Sequence, residues 1–298
     1  MKQRLLLLLL FCSSFAFSQP YLDVLTVQGN AFPTSAIAKG KDDVHMSNDW
    51  WLVNLNLPFE LNKRNLILLS PGWEHRSYVF KDENKFVKTY ETVYLPVTFL
   101  HTFSDTSKNI SATGIYRFNK LRDLPFNNQS DMIGGAVLYS KTVSETFTWK
   151  AGAYYNREFF GNLFLPLAGF EWKATPKLYV WGLLPNNFVI DYRLQSNLHI
   201  GGNVNAIIES YKEVQPGSYT KFSEEQLYLF CDYYLKKIPL IISLQAGHTV
   251  GRNYSYRANE NAAVTKYNPS ESMIFHAGIA YRFVTNTKFI TPQSKSGL

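Results

Sequence analysis

The side chains that could carry out chemistry are dispersed along this sequence. None of its six histidines belongs to a His-x-x-x-His motif, and Cys-x-x-Cys is also absent, so the spacing typical of a metal site is missing. A lipid hydrolase would need a serine, a histidine and an orienting acid close together, and no Gly-x-Ser-x-Gly motif occurs. We therefore predict no metal ion, no cofactor and no catalytic residue.

The charged and polar side chains instead recur at alternate positions of apolar segments. They would share one face of each segment, with acids and bases in nearly equal number. Asp191 and Arg193 share a face on one short segment, so this pair is the first that we expect to interact. The predicted inward-facing set is Asn54, Asn56, Glu60, Glu74, Arg76, Arg117, Lys150, Glu171, Lys173, Asp191, Arg193, His199, Asn203, Asn205, Glu209, Asp232, Lys236, Gln245, His276 and Arg282.

Residues 51–61, WLVNLNLPFEL, show the kind of element that must position these side chains. Every odd position from Trp51 to Leu61 is apolar, while Asn54, Asn56 and Glu60 are polar. This period of two is typical of a β-strand with one apolar and one polar face. Its length is close to the roughly 9–11 residues that a tilted transmembrane strand needs.

Similar segments, separated by turn residues, follow one another along the whole chain. Short and long polar links alternate between them, as in outer-membrane barrels. The long links are predicted at 33–49, 80–89, 120–131, 158–163, 212–224 and 251–271. We predict an all-β, transmembrane, antiparallel up-and-down barrel of about 14 strands, or 12 if 177–184 and 187–194 do not cross. Pro96 falls inside one strand, so we predict a bulge there. The predicted strands are 22–32, 50–61, 65–79, 90–103, 109–119, 132–141, 146–157, 164–173, 177–184, 187–194, 198–211, 225–236, 238–250 and 272–283.

The first residues have the pattern of a secretory signal peptide. Lys2 and Arg4 precede an apolar run, and Ala16 and Ser18 provide the small residues before Gln19. The predicted organisation is a signal peptide at 1–18, a barrel at 19–283 and a polar C-terminal tail at 284–298. The net charge of +7 is scattered and predicts no nucleic-acid partner. Cys231 would be the only cysteine of the mature chain, and we interpret it as a small apolar side chain.

Several loose motifs resemble those of a family of Bacteroidota outer-membrane β-barrels, a domain of unknown function. They run from Tyr155-Asn156-Arg157 through Gly161, Leu165-Pro166, Gly169 and Trp172 to Leu184-Pro185 and Tyr192. The ending Ala280-Tyr281-Arg282-Phe283 also resembles the closing strand that the barrel-assembly machinery recognises, although a tail follows it here. The resemblance implies a Gram-negative outer-membrane location, contact with its lipid and with that machinery, and no site residues.

Three functions are compatible with these patterns. The first is a narrow passive channel, or a binding or scaffold barrel of the cell envelope, with both termini in the periplasm, a small solute as its possible partner and no catalysis. The second is a barrel enzyme that modifies envelope lipids. The third is a soluble periplasmic all-β binding protein, which would bury its apolar faces, whereas a barrel would expose them to lipid.

Overall fold

A computed structural model describes residues 21–38, 41–81, 86–127, 129–286 and 289–292 of the chain, and the predicted signal peptide lies outside these ranges. The described residues form one extended antiparallel sheet that closes on itself. The strands are β1 (Tyr21–Ala38), β2 (Lys41–Leu55), β3 (Leu57–Asn62), β4 (Asn65–Leu69), β5 (Gly72–Lys81), β6 (Phe86–Thr102), β7 (Lys108–Leu121), β8 (Asp131–Ser144), β9 (Phe147–Glu158), β10 (Gly161–Lys173), β11 (Leu178–Leu184), β12 (Asn187–Gln195), β13 (Leu198–Lys212), β14 (Tyr219–Tyr234), β15 (Leu240–Arg257), β16 (Val264–Tyr267), β17 (Met273–Asn286) and β18 (Phe289–Pro292).

These strands form a closed barrel with a wall of fourteen strands. β2 with β3, and β4 with β5, are two wall strands that are each interrupted once, while β16 and β18 pair only with the ends of β15 and β17. The barrel closes where β1 pairs antiparallel with β17, from Tyr21↔Val284 to Ala31↔Phe275. β11 and β12 both take part in the wall, so the prediction of an all-β barrel with fourteen strands, rather than twelve, is confirmed.

The alternation along β6 explains why the sequence adopts this wall. Val93, Val97 and Phe99 are 38–42% exposed on the outside, whereas Thr92 and Thr98 are 3–4% exposed on the inside. On β6, apolar side chains therefore face outward and polar side chains face inward, the reverse of a soluble β-protein, while β7 to β11 also bury an inward apolar cluster that includes Ile115, Leu165 and Leu183. A closed barrel pairs every wall strand on both sides, which satisfies the backbone without help from water.

Some predicted long links are in fact strand. β1 and β2 keep pairing as far as Ala38↔Lys41, and the link predicted at 158–163 reduces to a turn between β9 and β10. The prediction of loops there is wrong, because a strand that extends beyond the apolar band keeps its backbone ladder while it loses the alternation that reveals it.

The predicted bulge at Pro96 is absent. β6 pairs with β7 in one unbroken register, and Pro96 lies opposite Ile115. The carbonyl of Pro96 accepts a hydrogen bond from Ser70 N at 3.0 Å, so the missing N–H of Pro96 points to the same side. The irregularity lies in that neighbouring strand, which is interrupted between β4 and β5 at Ser70 and Pro71.

The upper ends of β13 and β14, away from the short turns, leave the wall and cross the barrel. β12 pairs with β13 only as far as Asn205, because the β11–β12 hairpin is short. Above this point, within the described ranges, β13 pairs with β14 and, through Lys212↔Lys120, with β7, which is six strands away in the wall. Residues 206–224 are called the crossing segment below.

Candidate functional site in the barrel interior

An ion pair joins the crossing segment to the opposite wall. Glu209 Oε2 lies 2.9 Å from Arg76 Nη2, which is also 3.4 Å from Glu74. Trp50 Nε1 donates a hydrogen bond to Glu74 at 3.1 Å. All three charged side chains are buried, so the arginine offsets two carboxylates where water cannot.

Aromatic side chains fill the space beside this ion pair. Phe222 of the crossing segment stacks on Tyr78 of β5 with ring centroids 4.3 Å apart and an interplanar angle of 5°. Tyr211 packs on Tyr90 of β6 at 4.7 Å. Met46 and Tyr254 complete a buried cluster that spans the interior from one wall to the other. The crossing segment is therefore packed tightly against the facing wall at this level.

Further hydrogen bonds hold the β13 side of the crossing segment. Glu158 at the end of β9 accepts hydrogen bonds from Arg117 at 2.5 Å and from Ser210 Oγ at 2.6 Å. Just past the end of β13, Glu213 accepts hydrogen bonds from Lys88 Nζ at 2.9 Å and from Tyr90 OH at 2.6 Å.

On the other side of the segment, Glu224 is bound by Arg252 of β15 at 3.3 Å and by the hydroxyl of Tyr254. Arg252 Nη1 also donates to Ser35 Oγ of β1 at 2.8 Å. The crossing segment is thus held to the opposite wall mainly by side chains, whereas its β14 edge keeps a continuous backbone ladder with β15.

Nearer the short turns, separate polar groups line the interior. Lys150 Nζ lies 2.5 Å from Glu171. Arg282 lies 2.5 Å from Asp23 and 3.1 Å from Asp232, with its guanidinium over the ring of Tyr21. Among the described residues, no group of three or more His, Cys, Asp or Glu side chains could hold a metal ion.

Residues 53–282 match the family described as "Domain of unknown function (DUF6268)". The chain belongs to this family. No curated protein matches the chain at a significant level. No helix in the described part of this DUF6268 protein is long and apolar enough to cross a membrane.

Several solved structures are similar to this DUF6268 barrel. An outer membrane channel from Pseudomonas putida F1 is similar with 10% identity and a TM-score of 0.47, covering 92% of this chain and 100% of its own. The NanC porin has 7% identity and a TM-score of 0.35, covering 86% and 98% of the two chains. The TodX monoaromatic hydrocarbon channel has 8% identity and a TM-score of 0.40, covering 87% and 89%. At these TM-scores the similarities carry no argument about function.

The predicted inward-facing residues of the DUF6268 barrel fall into three groups, apart from Asn205, which is half-buried between Asn187 and Gln226 of the adjacent strands. Glu74, Arg76, Arg117 and Glu209 belong to the contacts that hold the crossing segment. A second group makes separate contacts nearer the short turns or in the middle of the barrel, namely Asn54, Asn56, Lys150, Glu171, Asp191, His199, Asn203, Asp232, Gln245, His276 and Arg282. A third group is exposed near the short turns, namely Glu60, Lys173, Arg193 and Lys236. That any of them lines a path for a solute stays a prediction.

The expected pair of Asp191 and Arg193 does not form. Asp191 contacts His199 Nδ1 at 3.0 Å, and Arg193 donates to the carbonyl of Pro176 at 2.8 Å. Residues two apart on a strand share a face but point in parallel, so an acid more readily meets a side chain of the adjacent strand.

Sequence reasoning missed several residues that hold the crossing segment or the interior. Glu158 lies one residue beyond a predicted strand, and Glu213 and Glu224 lie in a predicted loop. Asp23 was missed for another reason: a register shift between Asp23 and Leu25 turns it inward, against the alternation of β1. The missed residues are Asp23, Glu158, Glu213, Glu224 and Arg252.

Proposed function

We propose that this protein is a passive channel of the Gram-negative outer membrane, closed at rest by its crossing segment. Support for the membrane comes from the outward face, where each wall strand presents exposed apolar side chains such as Phe164, Leu229 and Ile279. Soluble proteins rarely expose contiguous apolar patches above a few hundred Å², whereas a transmembrane barrel requires such a band. A soluble periplasmic protein is therefore the poorer interpretation.

The observation that carries the gating proposal is how the crossing segment is attached. Its β13 edge pairs with only one residue of the opposite wall, at Lys212↔Lys120. Its other attachments to that wall involve side chains, as in Arg76–Glu209, while its β14 edge stays paired with the upper end of β15 from Tyr219↔Arg257 to Glu224↔Arg252. Side-chain contacts can be exchanged for water one at a time, so this segment can leave the interior together with the upper end of β15, whose pairing with β17 ends at His248.

Two other functions remain as outcomes of the same test. A binding or scaffold barrel would keep the crossing segment in place permanently. A lipid-modifying enzyme would need a nucleophile beside a histidine, and His199, which contacts Asp191, makes its ring contact with Tyr234. No observation favours the enzyme.

The test is a reversible disulfide between Lys120→Cys and Lys212→Cys in a Cys231→Ser background. Residues 120 and 212 are partners in the pairing of β7 with β13, and the Cα atoms of paired residues lie within disulfide range. We expect brief conducting events in planar lipid bilayers with the reduced protein and no events after oxidation. A control disulfide between Asn109→Cys and Ser140→Cys, which joins wall neighbours β7 and β8, should leave the events unchanged.

A second variant, Glu209→Gln, weakens the ion pair with Arg76 without changing shape and should increase the open fraction several-fold. Equal conductance of the oxidised and reduced proteins would show that no path runs through the crossing. If neither the reduced protein nor Glu209→Gln conducts, the barrel is a scaffold or binding protein.

A further inference from the structure

Directly beneath the crossing segment, the interior carries an uncharged polar cluster. We call Gln28, Asn203, Tyr228, Gln245 and His276 the neutral cluster. Gln28 Nε2 lies 2.9 Å from His276 Nδ1, and Gln245 is the residue paired with His276 across β15 and β17. Asn203 Nδ2 donates to Tyr228 OH at 2.9 Å, and the Tyr228 ring lies 5.0 Å from that of His276.

Three polar atoms of this cluster are buried and make no hydrogen bond within the described chain: His276 Nε2, Gln245 Oε1 and Asn203 Oδ1. His276 itself is only 6% exposed. An unsatisfied buried polar atom costs about 1–3 kcal/mol, so three such atoms in neighbouring side chains need an explanation.

The hydrogen bonds of Gln28 fix what these atoms offer. Gln28 Nε2 is within 3.1 Å of Asn30 Oδ1 as well as 2.9 Å of His276 Nδ1, so it is the amide nitrogen and donates to both. His276 Nδ1 is then an acceptor, and its Nε2 carries the proton. The neutral cluster presents one N–H donor and two carbonyl acceptors.

The charges nearest the cluster already have partners. Glu224 binds Arg252, and Arg282 binds Asp23 and Asp232. A charged ligand at the neutral cluster would lose its hydration without gaining a counterion. A neutral ligand with several hydroxyl groups would satisfy all three atoms, and the Tyr228 and His276 rings offer an apolar surface for its ring carbons.

We propose that the neutral cluster binds an uncharged polyhydroxylated solute of the carbohydrate class. Gln28, Asn203 and Gln245 are half-buried, so each side chain keeps accessible surface beside its covered atoms, and rotation of the terminal amide would present the acceptor to a ligand. This inference concerns binding alone and holds whether or not the crossing segment opens.

The test compares three sugars of one size and different charge: glucose, glucosamine and glucuronate. Saturation-transfer NMR on the full-length barrel in detergent micelles detects the weak sugar binding that we expect inside a channel. We expect saturation transfer to glucose and at least several-fold less to both charged sugars. Gln245→Met keeps the side-chain length and removes one acceptor, and should weaken glucose binding by about 3- to 10-fold. Thr98→Val, an interior polar deletion on β6, should leave it unchanged.

A change of preference would separate recognition from loss of folding. Gln245→Glu keeps the acceptor and adds a negative charge, so glucosamine should bind better than glucose in this variant. Equal signals from all three sugars, or an unchanged glucose signal in Gln245→Met, would overturn the proposal. Because these measurements do not require opening, their failure would leave the conductance result of the disulfide test standing.

Discussion

At the scale of single residues, the interior is governed by the pairing of buried charges and by close steric fit. Each buried acid that holds the crossing segment meets an arginine, a lysine or a hydroxyl group. Glycine provides the steric fit where a large ring lies flat against the wall. A Cβ atom at Gly72 would lie 2.2 Å from the ring of Tyr94, which is buried on the neighbouring strand.

We therefore expect Gly72→Ala to destabilise the barrel by about 1–3 kcal/mol, because the Tyr94 ring must leave its position. The measurement is urea unfolding of the barrel in lipid vesicles, in which the folded fraction is monitored by the heat-dependent shift in electrophoretic mobility. Gly114→Ala is the matched control, since its Cβ would meet no atom within 4 Å. Equal midpoints for the two variants would contradict a steric role for Gly72.

At the scale of elements, the direction of a backbone donor decides whether a strand tolerates proline. Pro96 directs its missing N–H toward the interruption at Ser70 and Pro71, where the ladder is already incomplete. Its neighbour Val97 directs its backbone groups to the opposite side, into the continuous β6–β7 ladder.

Two substitutions test this account of β6. Pro96→Ala should change the free energy of unfolding by less than about 1 kcal/mol, because no ladder position needs its donor. Val97→Pro should cost about 3 kcal/mol or more or prevent folding, because it removes a donor from an intact ladder. Comparable losses in both variants, measured by the same unfolding assay, would rule out the donor direction as the cause.

At the scale of the whole molecule, the solvent of the outer face distinguishes a membrane barrel from a soluble one. Leu229 lies on the wall part of β14 and is 71% exposed. If this face contacts hydrocarbon, Leu229→Arg should cost about 2–4 kcal/mol and reduce the yield of barrel folded into vesicles. Gln195→Arg, exposed near a short turn, should fold like the wild-type protein. A soluble, detergent-free Leu229→Arg protein would contradict the membrane assignment.

The sequence by itself determined the wall. Period-two alternation and turn residues predicted all fourteen strands, because each residue of a transmembrane wall strand faces either the lipid or the interior. The same rule ends where the apolar band ends, so strand extensions such as Lys41 to Asp49 were predicted as loop.

Only the tertiary structure decided what fills the interior. The contacts Arg76–Glu209, Ser210–Glu158 and Tyr78–Phe222 join strands that are far apart in the wall. The alternation predicts which face of the wall a residue occupies. It does not predict that the β11–β12 hairpin is short, so that the upper part of β13 has no partner strand on that side and can cross the barrel. The contacts of the crossing segment depend on that crossing, whereas the neutral cluster depends on barrel closure between β1 and β17, which brings Gln28 to His276.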